Sequence, residues 1–237
     1  MYSERPDATL ISALCATCVD LLGLPAQVTA CNRPSGDLYG LGVSNTVMAE
    51  IQEFERTLGE DPCVDAWMSG APVSERDLAH PADPGRWLAF TAAALRVGAR
   101  ASFGYPLQVG TTRLGALNLY SMQPGVVSEA HPETALVLAE LTTHIVVSDL
   151  TAATPDSLLR EVRQIGPNQL EVHQATGMIS VQLSITIPNA LTRLRAHAYA
   201  ENRSIGAVAA DVVARRLRSK QPEPDHRPGH TTSLSRL

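Results

Sequence analysis

The sequence has no hydrophobic run that approaches the ~20 consecutive apolar residues needed to cross a bilayer. Its N-terminus is polar and lacks the apolar segment of a signal peptide, so we expect a cytoplasmic protein without a membrane partner. Aromatic residues are scarce, at 4% of 237 residues. Hydrophobic residues nevertheless make up 44% of the chain against 18% charged, which indicates a folded globular protein and excludes a disordered one.

The residue patterns that mark enzymes are also missing. The sequence contains no Ser/His/Asp motif, no catalytic pair of carboxylates and no glycine-rich phosphate loop. The histidines lack metal-ligand spacing, so we predict neither a metal site nor a haem. We therefore predict a protein that is not an enzyme, with no catalytic residues and no cofactor.

Cysteine is rare, and the four cysteines are Cys15, Cys18, Cys31 and Cys63. The first two have the spacing of redox and zinc sites, but a second ligand pair is missing and both lie in an apolar, helix-like run. We interpret them as buried free thiols. Cys63 follows the acidic Glu60 and Asp61. Because neighbouring carboxylates raise a thiol pKa, we do not expect a reactive thiolate there.

Lysine is nearly absent, since Lys220 stands against 18 arginines, and the charge is unevenly distributed. Residues 1–160 hold 9 Arg and 18 Asp or Glu, a net charge of −9. Residues 161–220 hold 8 basic and 4 acidic residues, a net charge of +4. This asymmetry is consistent with a polyanion partner for the C-terminal part alone, although +4 over sixty residues is also an ordinary charge.

The pattern over residues 8–150 predicts an α+β domain, an antiparallel sheet with helices outside it. Apolar periodicity predicts helices over residues 8–24, 44–58, 87–98 and 132–150, with Ser44 as the N-cap of the second. Alternating runs predict two hairpins, 27–33 with 38–43 and 101–109 with 113–120, and a short strand near 71–73. The glycine within 113–120 indicates close packing or a bulge.

Four segments of this domain resemble a GAF domain: Leu58-Gly59-Glu60-Asp61-Pro62-Cys63, Pro72-Val73, Gly104-Tyr105-Pro106-Leu107 and Leu114-Gly115-Ala116-Leu117-Asn118-Leu119-Tyr120. The resemblance implies a sensory or dimerisation domain and leaves a small-molecule effector open. It does not identify ligand-binding residues. We expect a homodimer that forms through the helix at 132–150 together with the helix near 8–22.

Proline and glycine breaks mark residues 151–167 as a linker, with a short helix expected over 157–165. Beyond it, residues 168–213 contain three short amphipathic stripes, with Thr186 and Ser204 placed to cap the second and third helices. These stripes predict a three-helix bundle within residues 161–218. Residues 221–237 are rich in Pro, Ser, Thr and Gly and are expected to form a disordered tail.

The three-helix segment resembles the ANTAR domain of transcription antitermination regulators. The resemblance rests on Gln174-Ala175-Thr176-Gly177, on Ala190 to Ala198, on Asn202-Arg203 and on Val208 to Val212. It implies binding of paired stem-loops in nascent RNA, which prevents a terminator hairpin from forming. The family often has Lys where this chain has Thr176 and Met where it has Ser180. The loss of a lysine could weaken phosphate contact or shift the RNA preference.

The predicted RNA contacts are side chains that the pattern places off the apolar stripes or in the motif: Gln174, Thr176, Met178, Gln182, Arg193, Arg195, Arg203 and Arg215. Gly177 is expected to be a packing glycine. Two alternatives stay open. Three short helices can also form a helix-turn-helix, which makes a DNA-binding regulator with a sensory GAF domain the first alternative. A non-catalytic oligomerisation protein is the second.

Overall fold

The computed structural model describes residues 6–32, 37–125, 131–151 and 167–217. The helices are α1 (Pro6–Leu22), α2 (Thr46–Leu58), α3 (Pro62–Ser69), α4 (Leu88–Arg96), α5 (His131–Thr151), α6 (Pro167–Leu183), α7 (Ile187–Ala200) and α8 (Ile205–Val213). The strands are β1 (Ala26–Asn32), β2 (Asp37–Val43), β3 (Val73–Glu75), β4 (Ala101–Val109) and β5 (Thr112–Ser121). The helix expected over 157–165 and the tail at 221–237 lie outside the described residues. Within the described ranges, every helix is too short or too polar to span a bilayer.

The strands form one antiparallel sheet in the order β2-β1-β5-β4-β3. The two predicted hairpins, β1 with β2 and β4 with β5, are confirmed. The hairpins join at the centre of the sheet, where Gln27 of β1 lies opposite Asn118 of β5. The short strand β3 pairs with β4 at one edge.

Helices α1 and α5 cover one face of the sheet. Successive side chains of a strand point to opposite faces, so alternate residues of β1, β4 and β5 build this core. They include Val28, Phe103 and Leu117. Cys15 and Cys18 are completely buried in the same core, and burial raises their pKa values to about 12 and about 11. The prediction that they are buried free thiols is confirmed.

Helices α2, α3 and α4 cover the opposite face. The expectation that Ser44 caps α2 is wrong, because the side chain of Asn45 accepts the hydrogen bond from the Met48 amide. The Ser44 hydroxyl instead accepts from the Ala26 amide at 2.9 Å, at the start of β1. Asp61 caps α3 with Pro62 in the first helical position, a combination that favours a helix start.

Helices α6, α7 and α8 pack around a second apolar core. Thr186 and Ser204 cap α7 and α8 as expected, accepting from the Asn189 and Ala207 amides. The core consists of small and branched apolar side chains: Val172, Ala175, Ile179, Leu183, Ala190, Leu191, Leu194, Ala198, Ile205, Val208, Ala209 and Val212. The three helices meet the N-terminal domain at the C-terminal end of α2.

Candidate functional site

A groove lies between α6 and the C-terminal end of α8. Its volume is about 490 Å³, and its lining consists of Gly177, Met178, Val181, Gln182, Val212, Arg215 and Leu217. Val181, near the C-terminal end of α6, is 82% exposed although it is an apolar residue. The groove therefore presents apolar surface bordered by one amide and one guanidinium group.

Three of the predicted RNA contacts, Met178, Gln182 and Arg215, line this groove. Gln174 is exposed one turn before Met178 on α6. Residues four apart along a helix lie on the same side, so Gln174, Met178 and Gln182 form one row. Four of the eight predicted contacts thus lie in the groove or in line with it.

Thr176 does not share this surface. It is only 3% exposed, and its hydroxyl donates to the Val172 carbonyl at 2.6 Å. Two residues along a helix correspond to about 200°, so Thr176 lies opposite the row that contains Gln174 and beside the core. In this arrangement its side chain has no access to RNA.

The other predicted arginines occupy separate places. Arg193 is exposed on α7. Arg203 pairs with Glu201 at 3.2 Å and with Asp211 at 2.6 Å. Arg195 is half-buried, and its Nε donates to the Arg56 carbonyl of the N-terminal domain at 3.1 Å. The structure therefore does not bring these three side chains to the groove.

Gly177 is not the packing glycine that the sequence predicts. A Cβ atom at this position would meet no heavy atom of the described residues within 4 Å. Gly177 instead lies in the lining of the groove. The absence of a side chain keeps the groove open here and does not serve contact between helices.

A second unusual feature is a buried polar cluster between the sheet and α2. Glu55 accepts hydrogen bonds from Gln27 Nε2, from Tyr120 Oη and, at 3.0 Å, from Asn118 Nδ2. Burial raises the pKa of Glu55 well above its usual range, and the nearby Asp61 adds to the rise. Hydrogen bonds from Tyr120, Gln27 and Asn118 oppose it. The carboxyl group thus holds a proton more strongly in the folded protein than in water.

Asp61 extends this buried polar cluster to the start of α3. Its Oδ1 accepts from the Val64 amide at 2.6 Å, whereas its Oδ2 has no hydrogen-bond partner among the described residues. Burial raises the pKa of Asp61 to about 7, and the charge of Arg195 is among the interactions that oppose the rise. Cys63 is also fully buried, and burial, Asp61 and Glu55 all raise its pKa, as predicted for an unreactive thiol.

This polar cluster is the main feature that the sequence did not lead us to expect. One signal could have found it: Glu55 follows Ile51 by one turn and so lies on the apolar stripe of α2, where a carboxylate is out of place. The cluster has acceptors in excess, because Gln27 Oε1, Asn118 Oδ1 and Asp61 Oδ2 have no hydrogen-bond partner among the described residues. Among the described residues, no group of three or more His, Cys, Asp or Glu side chains is arranged to hold a metal ion.

No protein-family model matches the sequence, and no curated protein matches it. Among solved structures, a domain described as part of a two-component sensor histidine kinase from Sinorhizobium meliloti has a TM-score of 0.50 at 12% identity, covering 63% of this chain and 95% of that domain. The GAF domain region of a membrane protein from Geobacter sulfurreducens has a TM-score of 0.47 at 16% identity, covering 59% and 92%. Free methionine-R-sulfoxide reductase from Neisseria meningitidis has a TM-score of 0.49 at 16% identity, covering 64% and 84%.

At such low identities a likeness shows the fold alone. The five-stranded antiparallel sheet with its flanking helices matches a GAF-like fold, the fold class that the sequence predicts for residues 8–150. The N-terminal domain thus has a GAF-like fold. The function of this domain and that of the three C-terminal helices are proposed below.

Proposed function

We propose that this protein is a cytoplasmic RNA-binding regulator of transcription antitermination. In this proposal residues 161–218 are an ANTAR-like module that binds paired stem-loops in nascent RNA, and the GAF-like domain controls the module in response to a small-molecule effector. The observation that carries the proposal is the groove on α6 and α8. There, Met178, Gln182 and Arg215 meet an exposed apolar surface, with Gln174 in the same row.

The chemistry of the groove suits unpaired bases. Sequence-specific RNA recognition mostly targets loops, where splayed bases can be stacked and read on their edges. Apolar Met178 and Val181 offer a surface for a base, and the amide of Gln182 offers both a donor and an acceptor. Arg215 can stack on a base plane or contact phosphate through two hydrogen bonds. Stem-loops with small terminal loops provide such bases beside a paired, phosphate-lined stem.

We expect Arg215→Ala to weaken binding of a labelled tandem stem-loop RNA about tenfold, the loss of one contact of ~1.4 kcal/mol. Gln182→Ala should have a similar effect. Arg216→Ala is the matched control, because Arg216 carries the same charge one residue away but does not line the groove and pairs with Asp211 at 2.6 Å. Binding is measured in a salt series with the full chain.

The proposal requires that Arg215→Ala no longer weakens binding when the loop sequences of the RNA are scrambled. A DNA duplex bound as tightly as the stem-loops would favour the DNA-binding alternative. The structure offers that alternative little support, because the surface of α8 carries the small Ala207 and the acidic Asp211, which pairs with Arg203 and Arg216. No binding to either nucleic acid would favour a non-catalytic oligomerisation protein.

We further propose that the protein is a homodimer that assembles through α1 and α5. These neighbouring helices expose large apolar side chains, namely Leu10, Val19, Leu21, Leu136, Val137 and Leu141. Paired helices of two copies would cover this surface and bring two RNA-binding modules together, which fits a target with two stem-loops.

Light scattering should therefore give twice the chain mass of 25.3 kDa. Leu141→Glu should shift the protein to a monomer, because a carboxylate would be buried unpaired in the interface. Val109→Glu is the control, since Val109 is 56% exposed but lies at the C-terminal end of β4 and not on either helix. A wild-type protein that is strictly monomeric at micromolar concentration would contradict this proposal.

A further inference from the structure

The strongest feature outside the groove is the contact between α2 and the C-terminal helices. A helix ends with carbonyl groups that have no partner within the helix, and with a partial negative charge. At the end of α2, the Arg56 carbonyl accepts a hydrogen bond from Arg195 Nε at 3.1 Å. A guanidinium group of α7 thus occupies a position where a helix terminus favours a cation.

A second hydrogen bond lies beside the first. The buried Thr57 hydroxyl accepts from the amide of Ile205, the first residue of α8, at 3.3 Å. The first amides of a helix lack partners within the helix, just as the last carbonyls do. Each domain therefore provides a hydrogen-bond partner for a helix end of the other. Arg195 donates to a carbonyl at the end of α2, and the Thr57 hydroxyl of α2 accepts from the first amide of α8.

Gly59 allows Arg195 to approach this closely. It ends α2 in the left-handed region, with a φ of 71°, and its amide donates to the Glu55 carbonyl at 2.7 Å. A Cβ atom at Gly59 would lie between 2.6 and 3.0 Å from three atoms of the Arg195 guanidinium group. Any side chain at this position would therefore force Arg195 to move.

The same end of α2 adjoins the buried polar cluster around Glu55. Glu55, which binds Gln27, Asn118 and Tyr120, lies directly before Arg56, whose carbonyl Arg195 contacts. Asp61, whose Oδ2 is unpartnered among the described residues, follows Gly59 by two residues and interacts electrostatically with Arg195. A change at the cluster would thus reach Arg195 through the last turn of one helix.

We propose that the C-terminal end of α2 forms an autoinhibitory contact, here called the latch. In the closed form the latch holds the three C-terminal helices against the GAF-like domain and keeps Arg195 away from RNA. In the closed form Arg195 and the amino end of α8 are bound to the GAF-like domain. Movement of α2, transmitted from the Glu55 cluster, releases both and makes Arg195 available to phosphate. This inference rests on the proposed RNA-binding function.

The test substitutes two matched glycines. Gly59 and Gly23 both follow a helix in the left-handed region, with φ of 71° and 66°, but a Cβ at Gly23 would meet nothing of the described residues within 4 Å. Asparagine tolerates this backbone conformation better than other side chains do. Gly59→Asn therefore displaces Arg195 with little backbone strain, and Gly23→Asn reproduces that strain without touching the latch.

Two quantities are measured on the full chain: hydrogen exchange of the peptide containing Ile205 without RNA, and affinity for the tandem stem-loop RNA. Gly59→Asn should accelerate the exchange and raise the RNA affinity about tenfold, within the usual range for coupled sites. Gly23→Asn should leave both as in the wild type. Thr57→Val removes the acceptor for the Ile205 amide and should change both quantities in the same direction as Gly59→Asn. It therefore tests the contact even if Gly59→Asn does not fold.

Three outcomes would contradict the proposed latch. Unchanged exchange in both Gly59→Asn and Thr57→Val would show that these contacts do not hold the domains together, and would overturn the latch. Faster exchange with unchanged affinity would show a structural contact that does not inhibit, which also overturns it. Faster exchange in proteins that bind no RNA at all would refute the proposed function and, with it, the inhibitory role.

Discussion

We expect Gly115→Ala to destabilise the N-terminal domain strongly. Gly115 lies in β5 at the centre of the sheet, opposite Ala30 of β1 and Leu107 of β4. A Cβ atom there would lie 2.0 Å from the Thr29 carbonyl oxygen and 2.8 Å from the Ala30 Cα. These are backbone atoms of a paired central strand, so they cannot move aside as a flexible side chain would.

Overpacking a core costs about 1–3 kcal/mol and occasionally more, and this position should lie at or above the upper limit because a strand must shift. Since whole domains are stable by about 5–15 kcal/mol, such a loss would remove a large part of the free energy of unfolding and lower the urea midpoint. Urea denaturation followed by tryptophan fluorescence measures the effect, because Trp67 and Trp87 both belong to this domain.

Gly85→Ala provides the comparison. Gly85 lies in a loop of the same domain, and a Cβ atom added there would have only the Asp83 carboxylate, at 3.3 Å, within 4 Å among the described residues. The Gly85→Ala protein should have nearly the wild-type urea midpoint. A Gly115→Ala protein with that same midpoint would show that β1 and β5 can separate without cost, contrary to the packing described.

The second large effect is expected from Glu55→Ala. The substitution removes an acceptor from three buried donors, the Gln27 and Asn118 amides and the Tyr120 hydroxyl. Asn118 Nδ2 keeps a second acceptor, Tyr120 Oη at 3.1 Å, so two donors lose their partner. Each buried donor left unsatisfied costs about 1–3 kcal/mol, so the free energy of unfolding should fall by several kcal/mol. The cavity left by the side chain adds to the loss.

Glu55→Gln should be far milder, because the amide oxygen still accepts a hydrogen bond and the volume is kept. Glu50→Ala tests the loss of a glutamate from the exposed side of the same helix, and surface substitutions of this kind usually change stability by less than about 0.5 kcal/mol. Thermal unfolding of the three variants provides the ranking. Equal melting temperatures for Glu55→Ala and Glu50→Ala would mean that the cluster does not stabilise the domain.

The sequence predicts the local part of this fold well, because its signals are local. Each hairpin is formed by neighbouring runs with turn residues between them, so β1 with β2 and β4 with β5 could be paired in advance. The pairing of β1 with β5 depends on packing between distant segments, and the apolar pattern of the sequence does not indicate it. The cap of α2 shows the same limit, since only the backbone angles distinguish Ser44 from its equally suitable neighbour Asn45.

The candidate groove was predictable where helical periodicity alone decides exposure. That periodicity places Gln174, Met178 and Gln182 in one row. It should also have excluded Thr176, which falls on the opposite side of the same helix. Arg195 could not be placed from the sequence, because its position off the apolar stripe is compatible with solvent, RNA or a second domain. Only the tertiary contact with α2 distinguishes among these.

The strand order also has a consequence for synthesis of the protein. The central strand β1 is made early, yet its partner Asn118 follows Gln27 about 90 residues later. At the usual translation rate of ~5–20 residues per second, one edge of β1 waits roughly 5–20 seconds for β5 to leave the ribosome. An unpaired apolar strand edge can pair with other chains. We therefore expect nascent chains that stop between β2 and β5 to aggregate or to recruit chaperones, and synonymous codons that slow this interval to lower the yield of folded protein.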